Sequence, residues 1–367
     1  MKQNRAKRKN EHKIQLVSKE ERKVTFIPAA DAVNMEIIPK KMLKNGTIIP
    51  GIGLGTFGSD HNTPQEIAQA VYNGLCMGYR FIDCAACYGN EAQIGEIFAK
   101  TIAGGLSREE LFVVSKVWND SHDAEAVLSS CKRTLRDLQL DYLDVYLVHW
   151  PFPNYHAPGC DADARNPDSK PYIHENFMRT WRAMENLIKI GLVRNIGTSN
   201  VTIPKLKLIL KDAEIKPVVN EMELHPCFQQ EELFRFCLEN EIQPIGYSPL
   251  GSPGRPERDR TQDDVSALES PIIQEIAKKH QIHPVMVCLK WAVQRGQIPI
   301  PFSTKRANLL SNLQAVSQDL LSAKELKRID DVDCNCRLIK GQVFLWEGAK
   351  SWEDLWDING EITGLDS

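Results

Sequence analysis

The chain has 367 residues, 42% of them hydrophobic and 25% charged, which is the balance of an ordinary globular protein, and its formal net charge of −3 gives no reason to expect nucleic acid or an anionic membrane as the main partner. No early stretch joins a basic start to an apolar core and a small-residue cleavage site, and no apolar run reaches the roughly 18 residues of a membrane span, so the expected location is cytoplasmic. The ten Cys are scattered through strand-like and helix-like runs, as buried thiols of a reducing compartment are, and no cluster has metal-ligand spacing outside one Cys-x-x-Cys pair.

In chain order, the first thirteen residues carry six Lys/Arg against one Glu, and residues 1–34 read as a disordered basic extension. Residues 35–332 read as one domain and 333–367 as a C-terminal tail. Residues 41–50 form two short β runs around Asn45-Gly46, the strongest signal for a two-residue hairpin turn. Strands and helices then alternate. A strand over 52–56 precedes a helix over 63–77, opened by Thr-Pro-Gln-Glu, a capping pattern with Pro at the first helical position. Strand 79–84, helix 90–101, strand 111–117, helix 123–138 and strand 142–149 continue the rhythm. After a polar loop, 151–171, come helix 173–190, strand 193–198, helix 202–210, strand 217–222, helix 231–240 and strand 243–248. A loop over 249–270, rich in Gly, Pro, Arg and Asp, reads as mobile. Helices 271–280 and 284–295, strand 298–302 and helices 306–314 and 322–331 complete the body.

Eight strands after the hairpin, each followed by helix, argue for a closed (β/α)8 TIM barrel, because closure removes both sheet edges. The C-terminal ends of the strands then form one face, where chemistry sits in such barrels. Asp83, Lys116, His149, Ser199, Asn200, Glu221, Tyr247 and Ser303 all fall there. Gly51-x-Gly53-x-Gly55 lacks the third-glycine spacing of a Rossmann fingerprint. A carboxylate at the end of an apolar strand needs a cation, which Lys116 supplies for Asp83. A phenol with a pKa near ~10 is a poor acid at neutral pH, and an adjacent ammonium is expected to bring Tyr88 toward the working range. His149 can donate a hydrogen bond to an oxygen on which charge develops. Tyr, Lys, His and Asp with no metal suit carbonyl reduction with hydride from a cofactor. Taken alone, Asp83 and Lys116 also fit a structural buried ion pair.

From Lys40 to Asp330 the chain resembles the aldo-keto reductases. The resemblance rests on Gly53-Leu-Gly-Thr56, Phe81-Ile-Asp83 to Tyr88-Gly-Asn-Glu91, Ser115-Lys116-Val-Trp118, Leu147-Val-His149-Trp150-Pro151, Ile196-Gly-Thr-Ser199-Asn200, Val219-Asn220 to His225-Pro226 and Tyr247-Ser-Pro-Leu-Gly251. It implies this barrel, a tetrad of Asp83, Tyr88, Lys116 and His149 with Tyr88 as general acid, and NADP as cofactor with NAD also accepted. It further implies Ser199 and Asn200 on the nicotinamide carboxamide, Tyr247 stacked on its ring, and Ser248, Leu250 and Ser252 at the pyrophosphate. Phe57, Trp118 and Trp150 would line the carbonyl pocket. Three positions depart from the pattern: Glu221 stands where a carboxamide-binding Gln is usual, Phe302 where a Lys meets the 2′-phosphate, and Asn308 where an Arg does. Ser303 and Asn312 keep theirs, and Lys305 and Arg306, in the same turn, are expected to take over the phosphate.

The expected partner is a small carbonyl compound, aldose-type or simpler, and the expected assembly a monomer or homodimer. The alternative function is a cofactor-binding regulatory subunit with little turnover. Cys84 and Cys87 make a Cys-Ala-Ala-Cys that also admits a redox or metal reading, with Cys334 and Cys336 as conceivable further ligands. The tail carries Trp346, Trp352 and Trp356 and is expected to pack, either over the pocket or against a second subunit.

Overall fold

The computed structural model describes residues 25–58, 61–153, 168–255, 257 and 260–363. The first pairing is a hairpin in which β1 (Lys40–Met42) runs antiparallel to β2 (Ile48–Pro50). Asn45-Gly46 sits in its turn, but the loop is one residue longer than the two-residue turn expected. Leu43 N–H donates to Thr47 O at 2.8 Å and Gly46 N–H to Leu43 O at 2.9 Å, enclosing Lys44, Asn45 and Gly46. A two-residue type I′ turn needs positive φ at both central residues, whereas here only Gly46 has it, at 85°.

Eight parallel strands follow in ring order: β3 (Leu54–Gly55), β4 (Phe81–Asp83), β5 (Phe112–Val117), β6 (Val145–Val148), β7 (Ile196–Ser199), β8 (Val219–Glu223), β9 (Gln243–Tyr247) and β10 (Ile298–Pro299). Gly53 N–H donates to Pro299 O at 3.0 Å and Gly55 N–H to Pro301 O at 3.1 Å, which joins the last strand to the first and closes the barrel. That closure needs Gly53, since a Cβ there would stand 2.7 Å from the Phe81 ring and 2.8 Å from Ile300. The expected strand over 298–302 is short because Pro299 and Pro301 have no N–H to donate to a ladder.

Around the barrel lie α1 (Pro64–Met77), α2 (Glu91–Ala103), α3 (Ala124–Leu138), α4 (His174–Lys189), α5 (Ile203–Asp212), α6 (Glu231–Glu239), α7 (Pro271–His280), α8 (Pro284–Gln294), α9 (Arg306–Ser317) and α10 (Ala323–Asp330). The sequence signal at α1 has its physical counterpart. Thr63 N–H donates to Glu66 Oε2 at 2.7 Å, Glu66 N–H returns a bond to Thr63 Oγ1 at 3.3 Å, and Pro64 opens the helix.

Strand alternation sorts the core. Ile82, Val113, Val117, Tyr146, Val148 and Ile196 face the helices, while Phe81, Val114, Val145, Leu147, Val219, Ile245 and Ile298 pack inside the barrel. Leu43 and Ile49 of the hairpin join that inner cluster, so the hairpin is the barrel floor. Two residues beyond Phe81, Val114, Leu147, Val219 and Ile245, the inward positions are Asp83, Lys116, His149, Glu221 and Tyr247. The reactive groups are therefore the rung above the apolar filling.

Residues 25–34 of the expected extension run along the helices, with Phe26 N–H on Gly104 O at 2.7 Å and Val33 N–H on Met77 O at 2.9 Å. Residues 1–24 lie outside the described residues. In the 249–270 loop, Arg255 is ion-paired with Asp264, and Lys340 Nζ of the tail lies 3.6 Å from Asp264 Oδ1. Among the described residues, no helix is long and apolar enough to cross a membrane.

Ile49 is fully buried. Ile49→Ala should therefore lower unfolding stability by about 2–5 kcal/mol, measured as a shift in denaturation midpoint with an unchanged slope. A loss under about 1 kcal/mol would show that the hairpin is not part of the core.

Candidate active site

The centre of the site is a fully buried ammonium. Lys116 Nζ donates to Asp83 Oδ1 at 2.6 Å and to Cys84 O at 3.0 Å, and lies 3.3 Å from Glu221 Oε1. All three side chains are buried. Burial penalises the charge on Lys116, but Asp83, Glu221 and Tyr88 together outweigh it and hold the amine protonated well above its ordinary range. Burial also raises both carboxyls: Asp83 goes up against the pull of Lys116, and Glu221 is pushed up to about 8 with Asp83 adding to the push.

Tyr88 ends a short helical turn, Ala86–Tyr88, that follows β4 and is closed by Gly89 at φ 66°. Its ring centroid is 5.4 Å from Lys116 Nζ, 5.1 Å from the Phe57 ring and 5.8 Å from the His149 imidazole. The expected lowering of its pKa is not found. Burial pushes the phenol well above its ordinary value; Lys116 opposes the push, while Asp83, Glu221 and Cys87 reinforce it. Tyr88 accordingly holds its proton, which is the form a proton donor needs. Burial and then Lys116 keep His149 well below the ordinary histidine range, so its imidazole is neutral. Cys87 Sγ lies 3.5 Å from His149 Nδ1. Cys84 is buried on the helix side of the strand, so the two cysteines of the Cys-Ala-Ala-Cys face different surroundings. Among the described residues, no group of three or more His, Cys, Asp or Glu could hold a metal ion.

Ser199 pairs in register with Glu221 at the ends of β7 and β8. Asn200, at φ 59°, donates from Nδ2 to His149 O at 2.9 Å and accepts the Tyr247 hydroxyl on Oδ1 at 2.7 Å. Ser248 and Ser252 both have positive φ, 50° and 40°, and their hydroxyls are 2.6 Å apart across a turn that contains Leu250. At the start of α9, Ser303 Oγ accepts Lys305 N–H and Asn308 Nδ2, each at 3.2 Å. Lys305 is exposed, and Arg306 is already engaged by Asp31, with Nη1 donating to Oδ2 at 2.9 Å and a second bond from Nη2 to Oδ1. Asn312 is buried, and the Tyr79 hydroxyl donates to Leu309 O at 3.4 Å.

Phe57, 50% exposed, stands at the mouth. Trp118 meets the His149 ring at 5.1 Å and Phe344 at 5.8 Å; Trp150 meets Phe344 at 4.5 Å and Trp356 at 5.5 Å. The tail thus lies on the pocket side of its own barrel. It is pinned there by Asp357, which receives Lys205 Nζ and the Thr202 hydroxyl, all buried. Sequence reasoning missed Phe344 as a wall and Asp31 as a partner of Arg306, since each contact joins segments far apart in the chain. It placed Glu221 at the site but not against Lys116, although the inward alternation of β8 carried that signal.

A closed parallel barrel with its reactive groups on the C-terminal ends of the strands is a (β/α)8 barrel with its site on the usual face. The aldo/keto reductase family model matches residues 51–333. An aldo/keto reductase of Synechocystis sp. is 39% identical over 321 residues, covering 86% of this chain and 95% of that protein. Aldo-keto reductase family 1 member A1 of Sus scrofa is 40% identical over 301 residues, covering 81% and 90%. Among solved structures, a Bombyx mori aldo-keto reductase in complex with NADP aligns with a TM-score of 0.73 at 32% identity, covering 82% of this chain and 95% of that one. The chain belongs to the aldo/keto reductase family.

Lys116→Met leaves Asp83 and Glu221 facing each other without their cation. Unfolding stability should fall by about 3–5 kcal/mol at pH 7. The deficit should grow as pH rises past the parent's own folded-state values, raised above 3.8 for Asp83 and about 8 for Glu221, because below them both proteins hold the carboxyl protons alike, and above them the variant, lacking the cation that opposed the rise, keeps losing stability. Denaturant titrations from pH 5 to about pH 10 read this out; unchanged turnover in the folded variant would reduce Lys116 to a structural role.

Proposed function

We propose that the protein is an NAD(P)H-dependent reductase that converts an aldehyde or ketone, aldose-type or simpler, to its alcohol, with Tyr88 giving the proton. The observation that carries this is the single rung of Asp83, Lys116, His149, Glu221 and Tyr247 above the apolar filling, with the Tyr88 ring beside Lys116.

NADP, which the Bombyx mori relative holds, suits the residues present. Glu221 Oε2 is buried without a hydrogen-bond partner beside Ser199, the setting an amide group requires, and Tyr247 offers an aromatic face at the same end. Ser199, Asn200, Glu221 and Tyr247 would hold the nicotinamide, Ser248, Leu250 and Ser252 the pyrophosphate, and Ser303, Lys305, Arg306 and Asn312 the far end. When bound, the cofactor supplies the hydride.

The chain's own residues manage the proton. Tyr88 carries it, and Lys116, held by Asp83, offsets the negative charge left on the phenol oxygen. In the tautomer this role requires, Nδ1 accepts from the Cys87 thiol 3.5 Å away and the His149 proton sits on Nε2, free to donate to the carbonyl oxygen. Trp118, Trp150, Phe57 and the tail's Phe344 make the pocket aromatic and exclude water. The reading includes one catalytic body over residues 35–332 closed by the tail, a cytoplasmic location and a monomer or homodimer.

Tyr88→Phe keeps the ring and removes the donor, so turnover should fall by about 10²- to 10⁴-fold with cofactor affinity nearly unchanged. Steady-state kinetics on an aldehyde and ketone panel, with cofactor binding followed by fluorescence, decide this; near-normal turnover would sink the Tyr88 assignment.

Cofactor choice gives a second test. Phe302 and Asn308 remove two expected phosphate contacts, and Asp31 competes for Arg306, so the preference for NADPH over NADH should be modest and should rest on Lys305 and Arg306. In a Lys305→Ala, Arg306→Ala double variant the kcat/KM ratio of NADPH to NADH should drop about tenfold or more. A parent that prefers NADH, or a ratio unmoved by the double change, would show the phosphate to be held elsewhere.

A further inference from the structure

Asp83 on β4 and Glu221 on β8 come from strands four places apart in the ring of eight, so they reach the same ammonium from opposite walls. Their hold on it is unequal, 2.6 Å for Asp83 and 3.3 Å for Glu221. Both carboxyl groups are buried, and among the described residues Lys116 is the one cation within ion-pair distance of either. One buried ammonium balances one carboxylate, so the second carboxyl holds a proton, and the proton belongs on the group less tightly held by the cation, which is Glu221. With that proton in place, one ammonium and one carboxylate balance; without it, the buried cluster carries a net negative charge beside a phenol that has to become negative.

We propose that Glu221 is a positioning residue which, as the neutral acid, meets Lys116 from the wall opposite Asp83 and keeps the ammonium directed at Tyr88, and whose ionised form suppresses reduction. This rests on the reductase reading above and adds to it the residue that sets the charge of the site. The groups facing Glu221 are Asp83 and Tyr88 from β4 and the turn after it, Lys116 from β5, Ser199 from β7 and Tyr247 from β9, with Glu223 next on its own inward face. Only Lys116 among them is positive. Glu223 does not share the cluster, because His225 and the backbone N–H groups of Leu338 and Ile339 hold it. Burial, with Asp83 adding and Lys116 opposing, pushes Glu221 up to about 8, so the ionisation falls within an accessible pH range.

The test compares the parent with Glu221→Gln, which has the same size and a donor but cannot ionise. With NADPH and benzaldehyde as probes, kcat of the parent should decline above about pH 8, and in E221Q that alkaline limb should move up or vanish. A second readout needs no cofactor. The folded-state pKa is raised above the ordinary 4.5, so Glu221 contributes stability at low pH that is lost as pH rises from about 4.5 to about 8. The melting temperature of the parent should therefore fall relative to E221Q across that window and run parallel above it. A third readout uses the parent alone, so it holds even where E221Q does not fold: infrared difference spectra should show a protonated-carboxyl band at neutral pH that disappears on alkaline titration. An unshifted limb in E221Q with parallel melting curves, or no such band, overturns the proposal. A parent inactive on every carbonyl at every pH overturns the reductase reading instead, and the melting and infrared results then still report separately on the proton of Glu221.

Discussion

The structure depends on keeping a fully buried lysine charged. An ammonium stripped of its hydration costs several kcal/mol unless anions replace the lost water. Asp83 does so as the anion, and Glu221 meets the ammonium from the opposite wall, with Cys84 O completing the shell. Because the ammonium is met from β4 and β8 inside the barrel, both carboxyls come from inward strand positions, and the sheet must close for them to meet. Barrel closure through Gly53 and Gly55 and the charge of the site are therefore one constraint seen at two levels.

The same principle recurs at the edge of the pocket. Lys205, also buried, takes Asp357 and Leu355 O from the tail. A second desolvated lysine thus fixes the chain segment that brings Phe344 against Trp118 and Trp150, with Arg337 stacked 3.4 Å over Trp356. Aromatic rings bury much area for little lost conformational freedom, so a tail of this composition makes a firm wall. The floor and the wall come from the two ends of the chain and leave the strand ends open between them.

The departures from the family pattern share one theme, the charge near the cofactor. Glu221 adds a titratable carboxyl where an amide is usual, and Phe302 and Asn308 withdraw cations at the far end. Asp31, ahead of the barrel, places a further carboxylate on Arg306. On the proposed placement of the cofactor, Phe302, Asn308 and Asp31 make its far end less positive or more negative, and Glu221 makes the charge at its reactive end depend on pH.

Periodicity and punctuation carried most of the fold. The alternation of eight strands with helices, the Thr63 capping box and the inward spacing of Asp83, Lys116 and His149 are local patterns, and local patterns survive in a sequence because each follows from backbone geometry. They determined the barrel, the face and the core of the site. What needed the tertiary structure was every consequence of long-range meeting: that Glu221 shares Lys116 with Asp83, that Phe344 lies on Trp150, that Asp31 holds Arg306. The hairpin loop and the Tyr88 pKa went otherwise than expected for the same reason. A turn type depends on φ values that neighbours select, and a pKa depends on the balance of burial against charge, in which the desolvation of Tyr88 outweighs the ammonium beside it. Spacing tells which groups point inward, but only the closed barrel sets how far apart they stand and how little water remains between them.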